Sequence, residues 1–84
     1  WSLTTSARAA AGGHLRALQW AVENGCPASE EACARAAAGG HLEVLEWLRR
    51  IGCPWDARTF REAATAGHSD LLEWLRGQGC PEPD

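Results

Sequence analysis

Lysine, tyrosine and methionine are missing from this 84-residue chain, and phenylalanine occurs once. All 8 basic residues are therefore arginine, set against 11 acidic ones for a formal charge of −3. No cationic surplus exists to neutralise a phosphate backbone, the main driving force of sequence-independent nucleic-acid binding, so nucleic acid is not an expected partner. No apolar run approaches the roughly 18–20 residues needed to cross a bilayer, and no cationic leader precedes a hydrophobic stretch. The chain accordingly reads as soluble, with no membrane partner. A glycine-rich phosphate loop is also missing, because Gly12-Gly13 and Gly39-Gly40 are short and read as helix ends. The few serines and threonines cluster near helix starts, and nothing assembles a nucleophile, a base and an oxyanion donor. Neither an enzyme nor a cofactor is expected.

Eighty-four residues suffice for one domain with a modest core, since a chain this short buries only about 60–65% of its unfolded surface. It opens at Trp1 without an initiator methionine, so it is expected to belong to a longer chain or a larger assembly.

What is present is repetition. Gly-His recurs at Gly13-His14, Gly40-His41 and Gly67-His68, and Gly-Cys-Pro at residues 25–27, 52–54 and 79–81. Both series step by 27 residues, which sets units 1–27, 28–54 and 55–81 in a single domain 1–84, with a short tail at 82–84. The second position of each unit is Ser2, Ser29 or Asp56, whose side-chain oxygens cap a helix by accepting its free amides. A first helix runs from there through an alanine pair (Ala9-Ala10, Ala36-Ala37, Ala63-Ala64) to the glycine before the histidine.

The second helix starts near His14, His41 or His68. In the middle unit Leu42, Val44, Leu45, Trp47, Leu48 and Ile51 form a broad apolar stripe, with Glu43, Glu46, Arg49 and Arg50 toward water. Gly52 and Pro54 then stop it. Helices of about ten residues are marginal alone, so each pair must bury its stripe against neighbouring pairs. The sequence therefore predicts an all-α fold of three stacked helix-turn-helix repeats, with small alanines setting the spacing. The terminal units read as largely bare and apolar, Ser69 being the one hint of a polar cap.

Residues Gly40 to Pro54 resemble the second half of an ankyrin repeat, typically Gly-His-Leu-Glu-Val-Val-Lys-Leu-Leu-Leu-Glu-Ala-Gly-Ala-Asp, with Trp47 at a leucine site, Cys53 at the small alanine and Pro54 at the terminal aspartate. The period is shorter than the family's usual 33, and the missing residues fall where the β-hairpin finger would sit. The Thr-Pro-Leu-His opening is absent too, its place in the third unit being taken by Arg58-Thr59-Phe60-Arg61. The resemblance implies a short ankyrin-like solenoid of a variant that lacks the finger.

Four cysteines and three histidines invite a metal reading. Each histidine begins a second helix and each Gly-Cys-Pro cysteine lies beyond its end, about 16 Å away at 1.5 Å per residue. Zinc ligands must lie within about 2.0–2.3 Å of one ion, so no metal site is expected. Equivalent cysteines of adjacent units should be roughly 8–10 Å apart, too far for a disulfide. Cys26, Cys53 and Cys80 read as small buried residues, and Cys33, at the position of Ser6 and Phe60, as inward-facing. Reduced thiols suit an intracellular, cytoplasmic setting. The histidines are expected to bond backbone groups at the turns and tie units together. Trp20, Trp47 and Trp74 read as core residues, and Trp1 and Trp55 as staples at helix entries or as exposed anchors.

The resemblance further implies a protein-binding module whose partner, another protein, docks on the concave surface of first helices and inter-repeat turns. The matching positions are Thr4, Glu31 and Arg58 early in the first helix, Arg8, Arg35 and Glu62 before the alanine pair, and Ala11, Ala38 and Thr65 after it. The alternative is an architectural segment, or engineered scaffold, of a longer array without a ligand of its own.

Overall fold

The computed structural model describes residues 3–82. Trp1 and Ser2, read above as a helix staple and the first cap, lie outside the described residues. Among the described residues there are six helices and no strand: α1 (Leu3–Ala11), α2 (Leu15–Glu23), α3 (Glu30–Ala38), α4 (Leu42–Arg50), α5 (Ala57–Thr65) and α6 (Ser69–Gly77). The all-α expectation holds.

Local chemistry sets the helix ends. Ser29 Oγ accepts the Glu31 amide at 3.3 Å, and Asp56 Oδ1 accepts the Arg58 amide at 2.9 Å, so α3 and α5 begin at their expected caps. At the end of α3, Gly40 takes φ +71°, its amide donates to Ala37 O and the His41 amide to Ala36 O. This two-bond closure needs a left-handed residue, which glycine adopts without a Cβ clash. Gly52 closes α4 in the same way, through bonds to Arg49 O and from Cys53 to Leu48 O.

The first helices lie in a row, α1 against α3 against α5, and each second helix packs on the first helix of its own unit. The array is elongated, 35 × 19 × 18 Å. Ala10, Ala36, Ala37 and Ala63 are fully buried along the row, so backbones approach as the alanine pairs suggested. One apolar core runs the length of the stack, from Ala10 and Leu18 through Val44, Leu45 and Leu48 to Phe60, Leu71 and Leu75.

Three expectations need correction. Trp20 is 59% exposed, because α2 turns Leu18 and Ala21 inward and leaves position 20 at the margin of that face. Trp47 and Trp74 do pack, half-buried, against the core. Ile51 is 45% exposed, since it follows the last turn of α4 and no longer lies on its inward stripe. The outer side of the third unit is also polar. Arg61 is exposed at the position where Ala7 and Ala34 are buried, and the Arg76 guanidinium covers the Phe60 ring at 5.4 Å while pairing with Glu82 at 2.9 Å.

Trp55 joins two units. Its ring meets Trp74 edge-on, with centroids 6.0 Å apart, and carries the Arg49 guanidinium of the preceding unit at 4.2 Å. Arg49, read as facing water, is thus partly covered.

Candidate functional site

The expected contact positions fall on α1, α3 and α5, because a helix that buries its alanines on one side turns the residues between them outward. Five of them come together. Glu31, Arg35 and Ala38 of α3, with Arg58 and Glu62 of α5, line a shallow depression of about 330 Å³ between the two helices. Ala34, not among the expected contact positions, forms part of the lining. Its small side chain leaves room between the charged walls, and that room depends on two helices meeting.

Glu31 and Arg58 occupy one position of successive units, and Arg35 and Glu62 another. Sign therefore alternates along each helix and across the pair, and the lining charges cancel. Arg35 donates to Glu31 Oε1 at 3.2 Å, a solvent-exposed i,i+4 pair of the kind worth about 0.3–0.5 kcal/mol. Toward α1 the pattern opens. Thr4 and Arg8 are exposed there, so the position before the alanine pair carries Arg8 next to Arg35, while the early position holds uncharged Thr4 beside Glu31. Ala11 is half-buried and Thr65 exposed at their helix ends, and none of Thr4, Arg8, Ala11 and Thr65 lines the depression.

At the inter-unit turns the histidines bind backbone. His41 Nε2 lies 3.0 Å from Ala11 O, and His68 Nε2 lies 3.1 Å from Ala38 O, each in the preceding unit. A carbonyl only accepts, so Nε2 carries the proton in both. Each imidazole also fills the space beside a glycine. A Cβ on Gly13 would come within 2.6 Å of the His41 ring, and one on Gly40 within 2.8 Å of His68. These bonds occupy two carbonyls of the expected contact residues, Ala11 and Ala38, and so anchor that surface to the next unit.

All four cysteines are buried thiols. Burial raises the Cys80 thiol above its ordinary range. Among the described residues no three His, Cys, Asp or Glu side chains gather around a common point, and no helix is long and apolar enough to cross a membrane.

Compared with known protein families, residues 7–49, just over half of the chain, match the family described as ankyrin repeats (many copies). Searches of curated proteins and of solved structures return no significant match.

Proposed function

The chain belongs to the ankyrin-repeat family, and from that premise we propose that it is a protein-binding module whose partner docks across the first helices, centred on the α3–α5 depression. The repeats of this family generally mediate protein–protein contact. One observation carries the choice of surface: five side chains from two separate helices, Glu31, Arg35, Ala38, Arg58 and Glu62, line one concavity. In this reading residues 1–84 form a single array of three 27-residue units, a shortened variant without a finger, and the partner also reaches Thr4, Arg8, Ala11 and Thr65. The module holds no cofactor and works in the cytoplasm, a reducing setting in which its cysteines rest as thiols.

Alternating charges dictate the kind of recognition. With no net charge in the depression, long-range steering is weak, and selectivity comes from the match of individual donors and acceptors. Arg8 and Arg35 lie on the side where sign is unbalanced, so a partner carrying carboxylates there fits best.

The test begins with a partner isolated by affinity capture from native extract and identified by mass spectrometry. Its affinity is then measured against R8E and R35E, alone and combined. Both arginines are exposed, so the fold is expected to survive, as circular dichroism would confirm. The combined reversal is expected to weaken binding on the order of tenfold or more. Unchanged affinity removes this surface from consideration and leaves the architectural reading, in which the segment only extends a longer array.

A further inference from the structure

The middle unit contains a thiol pair that its neighbours lack. Cys33 Sγ, on the buried side of α3, lies 3.8 Å from Cys53 Sγ in the Gly-Cys-Pro turn after α4. The corresponding positions hold Ser6 with Cys26 in the first unit and Phe60 with Cys80 in the third, so neither neighbour can form such a pair.

We propose that Cys33 and Cys53 are a modification site: an oxidisable dithiol that a peroxide converts to a disulfide, cross-linking α3 to the exit of α4.

Two further features favour the reaction. Cys53 has only 5% of its surface exposed, but it is flanked by exposed Gly52 and Pro54, which places it near the surface for a small oxidant, while Cys33 is fully buried. The Cys33 thiol donates to Cys53 and the Arg49 guanidinium lies near, and together they favour thiolate at Cys53 over the opposing pull of its burial and the Glu30 carboxylate, whereas that same bond and burial keep Cys33 protonated. Cys53 is thus the attacking sulfur and Cys33 the resolving one.

In the first step Cys53 thiolate attacks hydrogen peroxide. An S–O bond forms, the O–O bond breaks, and hydroxide leaves to be protonated to water, so that Cys53 becomes a sulfenic acid. Cys33 sulfur then attacks Cys53 sulfur. The S–S bond forms, the S–O bond breaks, and hydroxide departs as water with the Cys33 proton. Two thiols lose two electrons in all, and one peroxide becomes two waters. The sulfurs must close from 3.8 Å to about 2.05 Å, within reach of small side-chain rotations and a slight shift of α3.

The experiment treats the protein with hydrogen peroxide, quenches it, alkylates under denaturing conditions, and maps cross-linked peptides by mass spectrometry with fragmentation. Cys26 and Cys33 share a tryptic peptide, so C26S is run beside the wild type. Wild type and C26S are each expected to lose two alkylatable thiols and to yield a Cys33–Cys53 link that dithiothreitol reverses. C33S, which installs the residue already buried at position 6, is expected to lose no pair of thiols. Circular dichroism checks its fold, and the peptide map of the wild type decides the matter should C33S not fold. Retention of all four thiols, a bond through Cys26 or Cys80, a bond between chains, or over-oxidation of Cys53 with Cys33 left free would each overturn the proposal.

Discussion

At the scale of single residues, equal sequence context does not give equal energetic weight. His14, His41 and His68 share one Gly-His setting, yet His41 and His68 each donate to a carbonyl of the preceding unit, and His14 makes no such bond among the described residues. Replacing His41 by alanine is expected to cost about 1 kcal/mol for the lost bond. H14A, at an exposed position, should stay within about 0.5 kcal/mol of wild type. Urea unfolding curves of the two variants check the contrast, and equal losses would deny the bond its role. Thr59 behaves in the opposite sense. Its Oγ1 is fully buried and finds no hydrogen-bond partner among the described residues, where the middle unit has buried Ala32. T59V removes that unsatisfied hydroxyl while keeping the branched shape, and is expected to raise stability by about 1 kcal/mol, read as a higher urea midpoint.

Helices are held by their ends and their spacing more than by intrinsic propensity, since nine-residue segments barely persist in water. The Asp56 cap on α5 is exposed to a direct test, because D56A leaves the Arg58 amide without its acceptor and is expected to cost about 0.5–2 kcal/mol. Spacing is tested through the alanine pairs. Ala37 is fully buried in the row of first helices, so A37L should overpack it at about 1–3 kcal/mol. Ala64 occupies the same position of the third unit but is exposed, so A64L is expected to be nearly neutral. Thermal unfolding of both variants measures the difference. Equal effects would mean that the row is not packed through this position.

Across the whole molecule, stability is a chain of nearest-neighbour contacts with no single centre, as the elongated shape requires. Removing residues 55–84 strips α5 from the face of α3 and the aromatic partner from Arg49. The remaining two units are expected to melt at lower temperature and with a broader transition than the full chain, as circular dichroism would record. The proposed binding face is a property of this scale too. Its depression exists only where α3 and α5 stand side by side, so a single unit carries part of the lining and none of the concavity.

Periodic spacing, caps and stop signals determined the helices and their order, because these depend on contacts within a few residues and recur three times. The tertiary structure alone decided which repeated positions are equivalent in fact: Trp20 exposed but Trp74 packed, Arg49 drawn onto Trp55, and Arg61 standing where its counterparts are buried alanines. Such differences arise because each unit meets a different neighbour, and a linear pattern carries no record of neighbours. The cysteines show the same limit. Spacing compares like positions, 27 residues apart, whereas the close pair joins unlike positions that folding brings together within one unit.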